Sequence, residues 1–212
     1  KIWTHEGGIS TPLIVHWPAG IKARGEVRDQ YVHVVDVPPR ILEALGLTPP
    51  AHLNGVTQRP LEGVSFAHSF NDAAAPTKKE AQYYEMIASR ALWADGWKAV
   101  VEQPQGDPLT DAMLAQQKWE LYHVATDFSE CDNLADKHPE KLAELVERWW
   151  IEAGKYNVLP LDSRMQLRMG ERKPSTVPAG NHFVYYPGGA PQFEYTAVNV
   201  KNRSHTITAE VD

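Results

Sequence analysis

The sequence predicts an α/β protein in which the end of a large α/β domain precedes a small antiparallel sheet covered by one helix. Three observations carry this prediction. A polar, glycine-bearing loop runs into the apolar stretch Leu13–Trp17, which suits a strand covered on both faces, although its pattern leaves a buried helix segment open. Several β-rich stretches occur within Gln82–Val124, and Pro139–Ala153 has the spacing of an amphipathic helix.

Composition narrows the classes of function. The chain has 212 residues and a net charge of −6, and it carries no basic stripe, which argues against nucleic acid as a main partner. No apolar run approaches the ~20 residues that a membrane-spanning helix needs. The chain has neither an initiator Met nor a signal-peptide pattern, and we interpret it as a piece of a longer protein. Its compartment, cytoplasmic or periplasmic, and its oligomeric state stay open.

The opening loop carries the candidate site. Its polar residues Lys1, His5 and Glu6 precede the predicted strand, and α/β proteins place ligands in loops beside a sheet edge. Gly7 and Gly8 permit a positive φ and a close backbone approach, which an ordinary side chain would block. We expect Glu6 to anchor this glycine turn rather than to act as a base.

A helix is predicted over Pro38–Leu45, with Asp36 as its N-terminal cap and Gly46 at its C-terminus. Its apolar face should pack on the sheet and consists of Val37, Ile41, Leu42 and Leu45. The following connection, which is rich in Pro, Gly and Asn, should contain one short helix near Val64–Phe70.

The second unit should contain four strands and one helix. The strands are expected at Gln82–Ile87, Ala88–Trp93, Trp97–Glu102 and Trp119–Val124, with Asp95-Gly96 as a turn. The helix buries a stripe formed by Leu142, Leu145, Val146, Trp149 and Ala153. The predicted domains are 1–76, 77–163 and 164–212; the last is the start of a β-rich extension, with strand patterns at His182–Tyr186 and Tyr195–Val200.

The opening residues Lys-x-x-x-His-Glu-Gly-Gly-Ile-x-x-Pro-Leu-Ile-Val resemble the segment that follows the metal-binding Asp-Asn pair in arylsulfatases. These enzymes belong to the alkaline-phosphatase-like superfamily. The likeness continues in the same order at Val32–Gly46, Asn54–Val56, Leu61–Ser65, Arg90–Lys98, Trp119–Tyr122 and Lys155–Asp162. The resemblance implies the C-terminal portion of a sulfatase fold.

The same resemblance implies a function and a site. In that family the lysine at the position of Lys1 binds the sulfate, so Lys1 is the expected catalytic and substrate-binding residue, with His5 as a second substrate contact or a loop-stabilising group. The complete protein would hydrolyse a small-molecule sulfate ester and use a Ca²⁺ ion whose ligands lie outside this fragment. One departure is Ser10, where the family usually has Arg.

Parts of the resembled mechanism are missing from the sequence. Sulfatases make a formylglycine nucleophile within Cys/Ser-x-Pro-x-Arg, and Cys131 has neither Pro nor Arg after it. We expect it to be a partly buried structural thiol. The single cysteine also excludes an internal disulfide. No residue is assigned as a metal ligand, and the fragment alone should be inactive.

Two alternatives stay open. The chain could belong to a phosphodiesterase or phosphonate hydrolase of the same superfamily, or to a non-catalytic binding module on a sulfatase scaffold. The residues that precede Lys1 would discriminate, since a formylglycine motif predicts sulfate chemistry and a Thr or Ser nucleophile predicts phosphate chemistry.

Overall fold

A computed structural model describes residues 2–104, 109–164, 180–188, 191 and 197–210. Contacts divide the chain into two units, Lys1–Gln166 and Leu167–Asp212. The described residues of the first unit contain helices α1 (Glu6–Ile9), α2 (Val37–Leu45), α3 (Asp111–Gln116) and α4 (Pro139–Lys155). They also contain strands β1 (His52–Leu53), β2 (Val56–Thr57), β3 (Gln82–Met86), β4 (Ser89–Ala94), β5 (Trp97–Val101) and β6 (Glu120–His123).

The main sheet has four antiparallel strands in the order β3-β4-β5-β6. Leu92 of β4 pairs with Ala99 of β5, which in turn pairs with Leu121 of β6. The turn between β4 and β5 contains Asp95 and Gly96, both at positive φ, as a tight hairpin requires. The antiparallel sheet that the sequence predicted is therefore confirmed, with strand ends that differ by a residue or two.

Helix α4 covers one face of this sheet. Pro139 begins the helix, where its missing N–H removes no hydrogen bond. Leu145, Trp149 and Ala153 are fully buried against Leu92, Ala99 and Leu121, and the Trp149 indole N–H donates to the Tyr84 carbonyl at 3.0 Å. The predicted covering helix and its apolar stripe are confirmed.

The opposite face of the sheet is covered by chain that precedes the sheet. Residues alternate along each strand, so Lys98 and Val100 face away from α4 together with Trp93 and Tyr122. Tyr31 stacks on Trp93 with ring centroids 3.7 Å apart. Because both faces are covered, every residue of β4 is buried.

The prediction of a strand at Leu13–Trp17 is wrong for the described structure. This stretch forms neither helix nor strand, and its large side chains are exposed, with Ile14 at 90%. A strand requires a neighbouring strand that pairs its N–H and C=O groups, and no described residues lie alongside in that role. The apolar run favours burial, but the pattern does not identify the chain segment that would bury it.

The helix predicted at Pro38–Leu45 is confirmed, and Gly46 ends it with a φ of 64°. Its packing was predicted incorrectly, because Ile41 and Leu45 are exposed and no sheet built from Leu13–Trp17 is there to cover them. Arg40 is buried instead, with its guanidinium 4.4 Å from the centroid of the Phe70 ring.

Asp36 is buried but does not cap α2 with its side chain. Its carboxylate accepts from the His33 N–H within the preceding 3₁₀ turn and from the Val64 N–H, both at 2.8 Å, and it forms an ion pair with Lys79 at 2.8 Å. The prediction that Asp36 caps α2 was therefore wrong. Its side chain instead binds backbone N–H groups of the turn before the helix and of residue 64.

The short helix expected near Val64–Phe70 is present as a 3₁₀ turn, Ala67–Ser69. In the second unit, His182–Tyr186 forms no strand, although its alternation predicted one, because alternation without a paired neighbour does not make a sheet. Part of Tyr195–Val200 lies outside the described residues. The domain boundaries at 76 and 163 stay predictions.

Candidate functional site

Lys1, the predicted catalytic residue, lies outside the described residues, but the segment that follows it is described from residue 2 onward. This opening segment, Ile2–Ser10, lies on the face of the main sheet opposite α4. Thr4 is buried, and its hydroxyl donates to the Arg90 carbonyl of β4 at 3.1 Å. The candidate segment is thus fixed to the central strands of the small sheet.

The glycine turn at residues 7 and 8 forms the one-turn helix α1. Neither glycine has a positive φ, so left-handed geometry is not the reason for glycine here. Gly8 is required by close approach: an added Cβ would lie 2.2 Å from the carbonyl oxygen of Trp3. A Cβ added at Gly7 would have no atom within 4 Å.

A buried ion cluster lies beneath this turn. The Lys98 ammonium donates to Oε1 of Glu6 at 2.8 Å and lies 3.0 Å from Oε1 of Glu130. The other carboxylate oxygen of Glu130 accepts from the Glu6 backbone N–H at 2.6 Å. The Lys98 side chain is fully buried, and the side chains of Glu6 and Glu130 are 11% and 4% exposed. Two carboxylates thus enclose one ammonium.

Ser10 completes the turn. Its hydroxyl donates to Oε2 of Glu6, while Lys98 occupies Oε1 of the same carboxylate. The position at which the resembled family usually has Arg therefore contributes a neutral hydrogen bond here, and the cation that balances Glu6 comes from β5. The expectation that Glu6 anchors the turn is confirmed.

His5 contacts the edge strand of the sheet. Its Nε2 lies 2.9 Å from a carboxylate oxygen of Glu120 on β6, and that oxygen also accepts from the Tyr122 hydroxyl at 3.1 Å. Burial and the neighbouring Glu120 carboxylate raise the pKa of Tyr122. The His5 contact stabilises the segment, and its substrate contact stays a prediction.

An open cleft of about 1040 Å³ lies beside the opening segment. Glu6 and Ser10 form part of its wall, and Tyr31, Tyr84 and Lys79 form another part. The Tyr31 and Tyr84 hydroxyls are hydrogen-bonded to each other. Burial raises the pKa of Tyr84 to about 12, and Lys79 in the same wall is paired with Asp36.

Cys131 is exposed, so the expectation of a partly buried thiol was wrong. It lies in a turn that Asp127 organises by accepting from the Asp132 and Cys131 backbone N–H groups, which lower the pKa of Asp127. In the part of the chain that the structure describes, no group of three or more His, Cys, Asp or Glu side chains is arranged to hold a metal ion. No helix among those residues is long and apolar enough to cross a membrane.

Sequence reasoning missed Lys98 and Glu130. A signal was present for Lys98, because a lysine in a strand between tryptophan and a run of apolar residues lies where burial is expected. Nothing in the pattern indicated its partners, since Glu6 lies 92 positions away along the chain.

The sequence profile of the family described as "N-sulphoglucosamine sulphohydrolase, C-terminal" matches residues 1–152. An uncharacterized sulfatase of Schizosaccharomyces pombe is 31% identical over 149 residues, which cover 69% of this chain and 25% of the relative. This chain therefore spans about a quarter of the length of that relative.

Among solved structures, Ps i-CgsB in complex with k-i-k-neocarrahexaose is similar with a TM-score of 0.50 at 16% identity, covering 73% of this chain and 31% of that one. BT4656 in complex with D-glucosamine-2-N,6-O-disulfate gives a TM-score of 0.49 at 18% identity, covering 69% and 28%. The mixed arrangement of helices and small antiparallel sheets in this chain is thus similar in fold to part of Ps i-CgsB.

Proposed function

This chain belongs to the sulfatase family described as N-sulphoglucosamine sulphohydrolase, C-terminal, and we propose that it is the C-terminal part of a sulfuric ester hydrolase whose sulfate-binding lysine is Lys1. The observation that carries the proposal is the fixed placement of the opening segment. Thr4, His5 and Glu6, which lie three to five positions after Lys1, each contact the sheet, so the part of the segment that the structure describes is attached at three residues.

The chemistry assigned to Lys1 follows from the charge of a sulfate ester. The ester carries a negative charge on its non-bridging oxygens, and charge develops on the leaving oxygen as the S–O bond breaks. An ammonium held against the non-bridging oxygens neutralises and orients the group. Lysine suits this role because its charge is compact and lies on a flexible stem.

Other parts of the proposed reaction belong to residues outside this chain. We propose that the nucleophile is a formylglycine. We also propose that a Ca²⁺ ion, held by a set of oxygen ligands, would neutralise the charge on the sulfate oxygens when bound. The described residues of this chain form no such ligand set, and no step through the ion is assigned to them.

The substrate class that we propose first is a sulfated sugar. The family description names a sulfated glucosamine, and Ps i-CgsB, which shares the fold, is described with a neocarrahexaose. An aryl sulfate, the class to which the opening residues point by resemblance, is the second. Both present anionic non-bridging oxygens on sulfur to Lys1, but they differ in the bond that breaks: an aryl sulfate loses a phenol through S–O cleavage, and an N-sulfated glucosamine loses an amine through S–N cleavage.

The test is Lys1→Ala in the complete protein, assayed on an N-sulfated glucosamine and on an aryl sulfate. We expect turnover to fall by roughly 10²-fold or more, the scale of losing one preorganised charge contact, on whichever of the two substrates the enzyme accepts. Most of the loss should appear in kcat, because the contact strengthens in the transition state.

The matched control is Lys22→Ala, which removes an exposed lysine from the polar connection and should leave turnover unchanged. His5→Ala should have a smaller effect than Lys1→Ala, because it loosens one of several attachments of the segment. Near wild-type turnover of correctly folded Lys1→Ala would contradict the assignment of Lys1.

A further inference from the structure

We propose that Lys98 is a positioning residue, which acts through its buried ion cluster with Glu6 and Glu130 to hold the opening segment where Lys1 meets the sulfate. This inference rests on the proposed function, since it assigns Lys98 a role through Lys1. The cluster joins three separate parts of the chain: the opening segment, the inner strand β5 and the turn that follows β6.

The geometry favours positioning over a general contribution to stability. A buried ion pair is weak evidence for stability, because removing charges from water costs about as much as their attraction returns. What such a pair supplies is a defined geometry, since an ammonium away from its carboxylates is strongly disfavoured in the interior. Here the geometry that it defines is the location of Glu6, five residues from Lys1.

Lys98 is well placed to act as a fixed point. It lies on β5, which is paired with β4 on one side and β6 on the other, and its side chain is completely enclosed. Glu130 ties the backbone as well as the side chain of Glu6, because it accepts from the Glu6 N–H. The turn is thus fixed at two atoms of one residue, which prevents it from rotating about a single contact.

The first experiment is hydrogen exchange on Lys98→Met in the complete protein. Methionine has a similar length and no charge, so the variant removes the ion pairs with little change in volume. We expect the amides of Glu6–Ser10 to exchange about 10-fold faster or more, while those of α4 keep their protection. Lys141→Met is the matched control, because Lys141 pairs with Glu144 on the exposed surface of α4.

The second experiment distinguishes positioning from a structural role. We expect Lys98→Met to lower kcat by about 10-fold or more, since a misplacement of about 1 Å at a reacting group can cost roughly 10²-fold and Thr4 and His5 still hold the segment. In the Lys1→Ala background, Lys98→Met should cause little additional loss, because the group that it positions is absent. A role in folding alone would lower activity by the same factor in both backgrounds.

A second variant covers the case in which Lys98→Met does not fold. Glu6→Gln leaves Lys98 paired with Glu130, and the amide oxygen can accept from Lys98 while the amide NH2 donates to the Ser10 hydroxyl oxygen, so no buried charge is left without a partner. Faster exchange at Glu6–Ser10 in this variant, with α4 unchanged, would support the proposal. Wild-type exchange in that segment for every folded variant would overturn it, as would equal kcat losses with and without Lys1.

The failure of the proposed function has a separate signature. Wild-type turnover of Lys1→Ala would contradict the role of Lys1 and, with it, the positioning of Lys1 by Lys98. Loss of turnover in Lys1→Ala together with unchanged exchange in Lys98→Met would contradict only the inference on Lys98.

Discussion

Gly8 shows how a single missing side chain shapes the candidate segment. A Cβ at this position would lie 2.2 Å from the Trp3 carbonyl oxygen, far inside van der Waals contact, and the obstacle is backbone rather than a movable side chain. Gly8→Ala should therefore displace the turn and destabilise its attachment to the sheet. We expect a lower melting temperature and faster amide exchange over Glu6–Ser10.

Gly7→Ala is the control for this prediction. Its new Cβ meets no atom within 4 Å, and Gly7 has no positive φ, so alanine should be tolerated or should stabilise by up to about 1 kcal/mol through the unfolded state. Equal effects of the two substitutions on melting would contradict the close approach at residue 8.

At the residue scale, the sequence predicted correctly a structural role that depends on adjacent residues in the chain. The anchoring role of Glu6 follows from its place before two glycines, and the structure confirms it through Ser10 and Lys98. The buried state of Lys98 and Glu130 was not predictable, because it depends on three distant segments meeting on one sheet face. The role of Lys1 stays a prediction, since Lys1 lies outside the described residues.

Trp149 is the largest fully buried side chain of α4, and its truncation tests the packing of this element. It contacts Trp119 and Trp150, and its indole N–H donates to Tyr84. Trp149→Ala should lower the free energy of unfolding by about 3–5 kcal/mol, from lost burial and the cavity that remains. Urea denaturation followed by circular dichroism measures this change.

Ile151→Ala provides the comparison on the same helix, because Ile151 is 62% exposed and should change stability by less than about 0.5 kcal/mol. A loss for Trp149→Ala no larger than that of Ile151→Ala would show that α4 does not pack on the sheet as described.

At the element scale, the sequence predicted correctly those elements whose form depends on residues close together along the chain. The amphipathic period fixed α4, and Asp95-Gly96 fixed the hairpin between β4 and β5. Leu13–Trp17 has an equally clear pattern but lies exposed, as do Ile41 and Leu45 on the apolar face of α2. For these elements the sequence indicates an apolar surface that favours burial. It does not identify the chain segment that would pack against that surface.

For the whole molecule, the main sheet of the first unit has two covered faces with different chemistry. The α4 side holds a large apolar cluster and also carries Arg90 and, opposite it, Glu85; the Arg90 guanidinium lies over Trp149, and burial lowers its pKa to about 10. The other side carries Lys98, Tyr84 and Tyr122 and contacts the opening segment. The face covered by α4 therefore holds the larger apolar cluster, and the opposite face attaches the opening segment through Lys98.

The final prediction concerns the chain Lys1–Asp212 expressed by itself. Its sequence contains no Cys/Ser-x-Pro-x-Arg nucleophile motif, so the group that would attack sulfur is absent even if Lys1 binds sulfate. We expect this chain to fold its main sheet, as judged by the near-ultraviolet circular dichroism of buried Trp149, and to leave both aryl sulfate and N-sulfated glucosamine intact. Hydrolysis above the uncatalysed rate, abolished by Lys1→Ala, would show that the nucleophile lies within these residues and that its assignment to residues outside the chain is wrong.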